Sequence, residues 1–481
     1  MNTAPSPLSP KSAPPPAENA KQQAERYRRR KLHTVLWSER SFKGKLFTIF
    51  LSAFATVLVT MFFLNFTHGE KMLRQEIPRL YSVDDPQFRR AMAVLLGPAV
   101  LEGNRVETLL NGDEIFPAML RDIHAAKKTI CFETYIYWSE AIGKEFAEAL
   151  AERARTGVKV HVIVDAFGSS KIDAAFITTM TKAGVQFNRF HPLRWYNVAR
   201  WNNRTHRKLL VIDGRIGFTG GVGIAGPWTG HAQDPQHWRD SHFRIEGPVV
   251  AQMQAVFVDN WIKTTGTVLH GDEYFPPPLT GFDPALASWV DPAQQSAKTV
   301  PAQIFSSSPD GGSHSMELMY LLSITAAEHT IRLSNAYFIP DALTEQALKD
   351  ALKRGVKVQI ITPGANMDAG IVRRASRSRW GGLLQAGAEI YEYQPTMFHC
   401  KLMIVDEKFV TLGSTNFDPR SFGLNDESNL NVFDADFARR QSEIFADDLV
   451  KSKRVTLAEW KNRSLATKAW EQIASLLAPM L

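Results

Sequence analysis

Cysteine is scarce in this 481-residue chain, which has only Cys131 and Cys400 and no CxxC pair. Two distant cysteines exclude a disulfide scaffold and a cysteine-based zinc site, and we expect both thiols to be reduced and buried, since both lie in apolar runs. The HExxH and GxxxxGK[ST] motifs are missing as well. We therefore predict no metal site and no loop that binds a nucleoside triphosphate.

The greater part of the chain has no excess of charge of either sign. The net charge of +7 is carried by residues 1–45, which hold ten Lys or Arg and three Glu, so residues 46–481 are neutral. A neutral body gives no support to nucleic acid as a partner. Because its first twenty residues are rich in Pro, Ala and Ser, we predict that the segment 1–45 is a disordered basic tail.

Charged residues are also missing from Leu46–Leu64, a run of nineteen apolar and hydroxyl-bearing residues. As a helix this run would span roughly 28 Å, close to the hydrocarbon thickness of a bilayer. The twenty residues before it contain eight Lys or Arg and the twenty after it three. This asymmetry predicts a single-pass protein with a cytosolic amino terminus and a body on the opposite face of the membrane, the periplasm in a bacterium. A cleaved signal peptide and a buried soluble helix are the weaker alternatives.

The chain beyond the span contains an internal duplication. Strand-like and helical pieces recur in one order at offsets of 193 to 203 residues, for example Thr129–Trp138 with Thr330–Tyr337, and Thr156–Asp165 with Arg354–Thr362. Apolar β-branched strands that alternate with helices predict an α/β fold. We expect two similar lobes, with mixed, largely parallel sheets flanked by helices, that are related by a pseudo-twofold axis.

Composition also indicates where the lobes begin and end. We assign a juxtamembrane segment to residues 65–97 and the first lobe to residues 98–265. A proline-rich connector follows, which we assign to residues 266–294. The second lobe with its C-terminal helices then occupies residues 295–481.

Each repeat contains an HxK triplet, with His206 and Lys208 in the first and His399 and Lys401 in the second. Because alternate residues of a strand share a face, the His and Lys of each triplet should point the same way. Two Lys provide fixed positive charge for phosphate oxygens, and two His on opposite sides of one phosphorus can act as nucleophile and as acid–base group. We therefore predict that both triplets meet at one cleft.

Four apolar residues and an aspartate follow each triplet, Asp213 in the first repeat and Asp406 in the second. We count both aspartates among the candidate catalytic residues and keep open an alternative that we favour, in which they brace the local fold through buried hydrogen bonds. Small residues come next, at Gly220–Gly221 and Gly413–Asn416. We expect these turns to let a ligand approach the backbone.

This pair of motifs resembles the signature HxKxxxxDxxxxxxG[GS]xxN of the phospholipase D superfamily, which occurs twice in its two-lobed members. The second copy matches from His399 to Asn416, whereas the first has Gly223 where the family has Asn. Among subfamilies, the chain is most similar to membrane-anchored bacterial cardiolipin synthases. The resemblance implies Ser414 and Asn416 as supporting or phosphate-binding groups. It also implies an acid some thirty residues past each His that orients the ring, and Asp240 and Glu427 are the matching candidates.

The resemblance further implies phosphatidyl transfer at a membrane surface, with phospholipids as substrates. Phosphatidylglycerol would place its phosphate between Lys208 and Lys401, and His206 would attack phosphorus while His399 protonates the departing glycerol. A second phosphatidylglycerol would then take the phosphatidyl group from His206, giving cardiolipin without a cofactor. The two His could exchange roles, and phosphatidylethanolamine stays open as a donor.

Three other functions remain as alternatives. Water in place of the second lipid would make the chain a phospholipase D-type hydrolase that yields phosphatidic acid. A nucleic-acid phosphodiesterase is disfavoured by the neutral body and the anchor. A membrane scaffold without activity would predict that His206→Ala and His399→Ala leave the function of the protein intact.

Two further groups of residues are candidates for lipid contact. A loop before the first triplet mixes aromatic and basic side chains, and we interpret it as an interfacial segment in preference to a partly buried surface loop. Its members are Arg189, Phe190, His191, Arg194, Trp195, Tyr196, Arg200, Trp201 and Arg204. For a second basic cluster, we favour a solvated helix over a headgroup contact; it consists of Arg373, Arg374, Arg377 and Arg379.

Overall fold

The computed structural model describes residues 42–64, 75–192, 202–277, 298–309 and 314–476, and the single residues 25, 28 and 73. The chain divides into two compact units, residues 1–64 and residues 65–481. The greater part of the predicted basic tail and of the proline-rich connector lies outside the described residues. The domain bounds drawn from the sequence therefore stay predictions.

The first unit contains a long apolar helix, α1 (Phe42–Leu64). It begins four residues before the predicted run, so its first turn includes two lysines. The hydroxyl of Thr48 donates to the carbonyl of Gly44 at 2.9 Å, so a polar side chain is satisfied by the helix itself. Residues Phe42–Met61 are long and apolar enough to cross a membrane, and none of the side chains described there is buried in the protein. The prediction of a candidate transmembrane helix is confirmed.

The second unit begins with α2 (Pro86–Leu96). The first repeat consists, in chain order, of β1 (Leu101–Leu110), α3 (Asn111–Ala125), β2 (Thr129–Thr134), α4 (Ala141–Arg155), β3 (Lys159–Asp165), α5 (Ala174–Lys182), β4 (Gln186–Phe190), β5 (Arg204–Thr205), β6 (Leu209–Ile212), β7 (Ile216–Gly220), β8 (Ser241–Glu246) and α6 (Val249–Thr265).

The second repeat has the same succession of elements, except that it has no counterpart of β5 among the described residues and has a short helix before its last strand. It consists of β9 (Val300–Ser307), α7 (Ser315–Ala326), β10 (Thr330–Asn335), α8 (Ala342–Lys353), β11 (Lys357–Pro363), α9 (Gly370–Ala386), β12 (Glu389–Tyr393), β13 (Lys401–Val405), β14 (Phe409–Gly413), α10 (Pro419–Gly423), β15 (Asn425–Val432) and α11 (Ala435–Val450). Three short elements close the chain, namely β16 (Ser452–Val455), α12 (Leu457–Lys461) and α13 (Leu465–Leu476).

The strands of the described residues join into one sixteen-stranded sheet. Its order is β16-β12-β11-β10-β13-β14-β15-β9-β1-β8-β7-β6-β2-β3-β4, and β5 pairs with β15 beside this path. The antiparallel pair of β1 and β9 lies at the centre, and equivalent strands of the two repeats follow outward from it in the same order. The duplication therefore appears in the structure as two matching halves of one sheet.

The mixed α/β architecture agrees with the prediction, but the sheet is not largely parallel. Along the main path only β2–β3–β4 and β10–β11–β12 run parallel, and the other neighbouring strands are antiparallel. The physical reason lies in the turns: Asp213 and Gly214 have φ values of 53° and 64° between β6 and β7, and Asp406 and Glu407 have 53° and 54° between β13 and β14. Two successive left-handed residues close a tight hairpin.

Helices cover both faces of the sheet. Alternate residues of β2 separate two cores, since Phe132 packs in one core with Phe146 of α4, and Cys131 in another with Phe257 of α6. The second core also contains Phe445 of α11, so it includes helices of both repeats. Burial of one such aromatic or aliphatic side chain stabilises the fold by about 1.5–3 kcal/mol. This common core holds the two repeats against each other. Both cysteines are buried and free, as expected.

Candidate active site

Both HxK triplets contribute to one cavity of about 270 Å³ in the second unit. His206 and Lys208 line it from the first repeat, and His399 and Asn416 from the second. All four residues are almost completely buried. The structure therefore brings the two candidate histidines together.

Short strand pairings between the repeats hold the two histidines in place. β5 pairs with the start of β15, and the His206 N–H donates to the carbonyl of Asp426 at 2.9 Å. In the same way, Arg239 pairs with Phe398, and the His399 N–H donates to the carbonyl of Arg239 at 2.8 Å. Each histidine thus lies at a point where the backbones of the two repeats are hydrogen-bonded to each other.

The middle residue of each triplet points away from the cavity. The Arg207 guanidinium is fully buried and donates to the carbonyls of Val256 at 2.9 Å and Ser307 at 3.3 Å. The Cys400 thiol lies 3.9 Å from the carbonyl of Arg239. This alternation matches the extended backbone expected from the triplets, although the strands β6 and β13 begin only after the histidines.

The two lysines bring positive charge into a nearly dry site. Lys208 Nζ donates to the carbonyl of His206 at 2.7 Å, and Lys401 Nζ donates to that of His399 at 2.8 Å. Burial and repulsion from Lys401 lower the pKa of Lys208 to about 7, and burial lowers the pKa of Lys401. An anion between them would favour the charged form of both lysines, so the pair is suited to binding a phosphate.

The two candidate ring-orienting acids bond to histidines, but each one serves the histidine of the other repeat. Glu427 accepts from His206 Nδ1, with distances of 2.9 and 3.1 Å to its two oxygens, and Asp240 Oδ2 lies 2.8 Å from His399 Nδ1. Each acid therefore bonds to the histidine of the other repeat and not to the one that precedes it in sequence, because the crossing strands exchange the acids. Both acids engage Nδ1, so Nε2 is the ring nitrogen that they leave for substrate chemistry. In the His399 ring, Lys401 Nζ lies 3.1 Å from Nδ1 and 3.3 Å from Nε2.

The two acids differ in charge. Burial raises the pKa of Glu427 to about 7, although Lys208 and the hydroxyl of Ser414 oppose this rise. Burial acts in the same direction on Asp240, but the charge and hydrogen bond of His399 outweigh it and lower the pKa of Asp240. At neutral pH Asp240 is therefore ionised, whereas Glu427 is partly protonated.

The pKa values of the two histidines are shifted by different sets of neighbouring charges. Burial, Lys208 and Lys401 lower the pKa of His206 well below its usual value. Burial and Lys401 also lower the pKa of His399, but here the ionised Asp240 acts in the opposite direction. His206 is thus a neutral ring, and His399 is the ring that a carboxylate helps to protonate.

The motif aspartates lie in the hairpin turns, at the ends of β6 and β13 that point away from the histidines. Asp213 accepts hydrogen bonds of 2.7 to 2.9 Å from the backbone N–H groups of residues 127–129. Asp406 accepts the equivalent bonds, of 2.7 to 2.8 Å, from residues 328–330. Neither aspartate lines the cavity. These bonds fit the bracing alternative that the sequence analysis favours, and a catalytic role of the two aspartates stays a prediction.

The small residues after β7 and β14 make room for the acids and not for a ligand. A Cβ on Gly221 would lie 2.2 Å from Asp240 Oδ1. Ser414 takes the equivalent place in the second repeat and donates to Glu427 Oε2 at 2.5 Å. Ser414 therefore supports an acid, whereas Asn416 lines the cavity and its Oδ1 has no hydrogen-bond partner in the described part of the chain.

Gly223, which stands where the motif has asparagine, leaves space for Trp228. A Cβ on Gly223 would lie 3.0 Å from Cβ of Ile136 and 3.2 Å from Cζ3 of Trp228. Trp228 Nε1 donates to Asp240 Oδ2 at 2.9 Å, and its ring lies edge-on to His399 with 5.2 Å between the ring centroids. The repeats thus contribute an asparagine on one side of the cavity and a tryptophan on the other, which makes the site asymmetric.

The sequence analysis did not predict several of the residues that line the cavity. They are Tyr135, Trp228, Trp238, Tyr337, Asp368 and Arg420. Tyr135 carries a signal, because it lies in the strand-like run Thr129–Trp138, which recurs in the second repeat. The tryptophans and Asp368 lie in connections whose approach to the cavity depends on the folded chain.

The structure describes only one of the two groups of residues that the sequence analysis considers for lipid contact in full. Residues 193–201 of the aromatic loop lie outside the described residues. In the second basic cluster, Arg373 and Arg377 of α9 both donate to Glu392 Oε1 of β12 at 2.6 Å, so they belong to an ion pair between helix and sheet. The other two arginines of that cluster are exposed.

Comparison with known proteins places these features in a family. The family described as "Cardiolipin synthase, PLD-like domain" matches residues 119–261 and 320–449, together more than half of the chain. The chain is 34% identical over 381 residues to a cardiolipin synthase of Oceanobacillus iheyensis, covering 79% of this chain and 76% of that protein. A cardiolipin synthase of Listeria innocua serovar 6a is 32% identical over 420 residues, covering 85% of this chain and 83% of that protein.

A solved structure shares the fold. A phosphatidylserine synthase from Haemophilus influenzae Rd KW20 covers 82% of this chain and all of its own length, with a TM-score of 0.59 and 14% identity. The two segments matched by the family coincide with the two repeats and contain both HxK triplets. The chain therefore belongs to the phospholipase D-like family and is an enzyme of its cardiolipin synthase class.

Proposed function

We propose that the protein makes cardiolipin from two molecules of phosphatidylglycerol and releases glycerol. The observation that carries the proposal is the single cavity lined by His206 and His399, each bonded to an acid through Nδ1. Two imidazoles beside one anion site suit a double displacement at phosphorus, in which a covalent intermediate links two transfers between alcohols. The cardiolipin synthases among the relatives support this choice of product.

In the first step, His206 Nε2 attacks phosphorus of the donor lipid. The new N–P bond replaces the bond between phosphorus and the headgroup oxygen, and His399 gives its proton to that oxygen as glycerol departs. Lys208 and Lys401 stabilise the charge that builds on the phosphate oxygens. The product of this step is a phosphatidyl-histidine at His206.

In the second step, a hydroxyl of another phosphatidylglycerol replaces glycerol. His399 Nε2 takes the hydroxyl proton, the oxygen bonds to phosphorus, and the N–P bond to His206 breaks. Cardiolipin leaves and both rings return to their first state. The exchange of one phosphodiester for another needs no further reactant.

The division of labour between the two rings rests on their acids. His206 has the more strongly lowered pKa and a partner, Glu427, that is partly protonated, so its Nε2 lone pair is free to attack. His399 faces the ionised Asp240, which stabilises an imidazolium and so suits an acid–base group. We accordingly assign Asp240, Glu427 and Ser414 to positioning, Asn416 to the phosphate, and Asp213 and Asp406 to bracing of the strands.

The enzyme is further proposed to lie in the bacterial inner membrane with a single span. Helix α1 and the excess of Lys and Arg before it support a cytosolic amino terminus and a periplasmic active site. Cysteines introduced in Cys-free protein at residue 20 and in the exposed part of α4 would report this topology. An impermeant maleimide on intact spheroplasts should label the second and spare the first, and the reverse labelling would contradict the assignment.

The reaction is tested with purified full-length protein in mixed micelles of detergent and phosphatidylglycerol. We expect cardiolipin and glycerol in equal amounts. His206→Ala and His399→Ala should each lower the rate by about a thousandfold or more, because each removes a group that acts in both steps. His124→Ala, which removes an exposed imidazole paired with Glu152, is the matched control and should keep the wild-type rate.

Two results would contradict the proposal. Phosphatidic acid without cardiolipin would mean that water is the acceptor and that the enzyme is a hydrolase. Protein quenched rapidly in neutral denaturant, because an N–P bond is labile in acid, should carry a phosphatidyl adduct on the peptide that contains His206, detected by mass spectrometry. An adduct on the peptide of His399 instead would reverse the roles of the two histidines.

A further inference from the structure

Two guanidinium groups line the same cavity and take no part in the proposed chemistry. Arg204 comes from β5 of the first repeat, and Arg420 from α10 of the second. Arg204 is 7% exposed, so it is a buried cation and not a surface one. The two arginines form a second pair of cations, in addition to Lys208, which also lines the cavity, and Lys401, which bonds to the His399 carbonyl.

The ring of Tyr135 lies beside the histidine of the first repeat, and both arginines are near enough for their charges to oppose the rise in the pKa of its hydroxyl. Its centroid is 5.2 Å from that of His206 and 5.6 Å from Lys208 Nζ. Arg420 is near enough for its charge to contribute to the lowered pKa of His206, after burial and the two lysines. The arginines are thus cations of the same cavity, close to the aromatic ring that packs against His206.

The surrounding contacts fix both guanidinium groups. Arg420 donates from Nη1 to Asn202 Oδ1 at 3.0 Å and from Nη2 to the Asn202 carbonyl at 2.9 Å. The Arg204 guanidinium lies over the ring of Phe167, 4.6 Å from its centroid, and that ring is 58% exposed. A held guanidinium binds a phosphodiester with little loss of side-chain entropy.

Acidic groups nearby offset this charge only in part. Burial raises the pKa of Asp165 to about 6 and that of Asp418 to about 7. Asp165 accepts the backbone N–H groups of Phe167 and Gly168, both at 2.9 Å, and Asp418 accepts that of Ser421 at 2.7 Å. A further carboxylate, at residue 368, lines the cavity as Asp418 does and accepts from a tyrosine hydroxyl at 2.6 Å. These carboxylates are engaged by the fold, and the arginine pair keeps an attraction for an anion.

We propose that Arg204 and Arg420 bind the phosphodiester of the acceptor phospholipid. The inference rests on the proposed function, in which the acceptor is itself a phosphatidylglycerol. Its attacking hydroxyl and its own phosphate are joined by one glycerol unit, so a second anion must lie close to the phosphorus under attack. Lys208 and Lys401 already hold the first anion, and the arginines supply the next position. They are specificity residues for a lipid acceptor over water or a free alcohol.

The test compares two acceptors that share one donor. Full-length protein in phosphatidylglycerol micelles is given isotope-labelled glycerol, and two rates are measured: formation of cardiolipin and incorporation of label into phosphatidylglycerol. Both reactions use the same donor and the same phosphatidyl-histidine, but only the first has an acceptor phosphate. Arg420→Gln and Arg204→Gln should each lower cardiolipin formation by roughly ten- to a hundredfold and change label incorporation by less than about twofold.

Arg374→Gln is the matched control, since it removes an exposed arginine of α9 that does not line the cavity, and both of its rates should equal those of the wild type. A parallel fall of both rates in the two arginine variants would overturn the inference, because the arginines would then serve the donor or the fold. Unchanged cardiolipin formation would overturn it as well. Absence of both reactions in the wild type would instead refute the proposed function.

Discussion

The two histidines of the site have chemically different partners, although their segments descend from one duplicated sequence. The acid beside His399 is an aspartate that is held ionised and also accepts from Trp228 Nε1. The acid beside His206 is a glutamate with a pKa raised to about 7. A difference of this kind between two carboxylates allows one ring to act as an acid and its neighbour as a nucleophile.

This difference predicts unequal effects of neutralising the two acids. Asp240→Asn should lower kcat by about a hundredfold, because His399 loses the anion that favours its protonated form. With the pKa of His399 reduced, the alkaline side of the pH–rate profile should move to lower pH. Glu427→Gln should cost less than about tenfold and leave that side in place, since Glu427 is already partly protonated at neutral pH.

The measurement is the pH–rate profile of cardiolipin formation for the wild type and both variants. Tyr81→Phe, a change outside the cavity, serves as the control for handling and detergent. Equal losses in the two acid variants, with no displacement of either profile, would refute the assignment of different roles.

A second prediction for a single residue concerns Gly223. Gly223→Asn restores the family motif, but its side chain would occupy the space of Trp228. We expect the variant to lose activity and to be destabilised by about 1–3 kcal/mol, because the displaced Trp228 would no longer donate to Asp240. Gly223→Ala, which adds only a Cβ, should lose less. An asparagine variant as active and as stable as the wild type would contradict this account of the asymmetry.

At the level of residues, the sequence predicts the members of the site better than their partners. The His and Lys of the triplets follow from motif spacing and the two acids from the family resemblance, and all of them lie at or next to the cavity. The motif aspartates Asp213 and Asp406 do not line it. The exchange of acids between repeats depends on the pairing of β5 with β15. A two-residue strand leaves no pattern in the sequence, so this exchange is visible only in the folded chain.

Among the secondary-structure elements, the hairpins that follow the HxK triplets stabilise the fold most directly. Asp213 ties the turn between β6 and β7 to three backbone N–H groups at the start of β2. Asp213→Ala should therefore lower the free energy of unfolding by about 2–4 kcal/mol, since each lost bond involved a charged acceptor. Differential scanning calorimetry of the solubilised protein measures the change.

Asp173→Ala is the matched control for this change. Asp173 caps α5 with a single bond, to the N–H of Ala175 at 2.8 Å, so we expect a loss of about 1 kcal/mol. The folded fraction of the Asp213→Ala protein should have most of the wild-type kcat. A large loss of kcat with an unchanged melting temperature would mean that Asp213 takes part in the reaction.

The same hairpins explain why the sequence predicts the elements well but not the sheet. Periodicity locates the buried strands and the helices between them, because burial and backbone geometry are both local properties. The direction of a strand depends on the turn that precedes it. Asp213-Gly214 is a strong hairpin signal, but the equivalent dipeptide in the second repeat is Asp406-Glu407, which lacks the glycine that marks such a turn.

For the whole molecule, the division into two units predicts that the anchor and the enzyme are separable. The cavity and all of the groups that bond to its histidines lie in residues 65–481. A chain without residues 1–64 should leave the membrane fraction and keep most of its activity on phosphatidylglycerol in mixed micelles. Its activity on intact vesicles should fall, because the anchor no longer concentrates it there.

Fractionation and parallel micelle and vesicle assays check this outcome. A chain in which the span is replaced by an unrelated apolar helix is the control and should match the wild type in both assays. A truncated chain that is folded but inactive in micelles would show that the first unit contributes to the site.

The crossed bonds between acids and histidines have a consequence for the origin of the chain. One repeat on its own contains a histidine and an acid that do not meet, so a half-length ancestor needed a twin subunit to complete even one such pair. Fusion of two gene copies turned that contact between subunits into a contact within one polypeptide. Only then were the two sides free to mutate separately, one keeping Asn416 and the other exchanging its counterpart for Gly223 and a tryptophan.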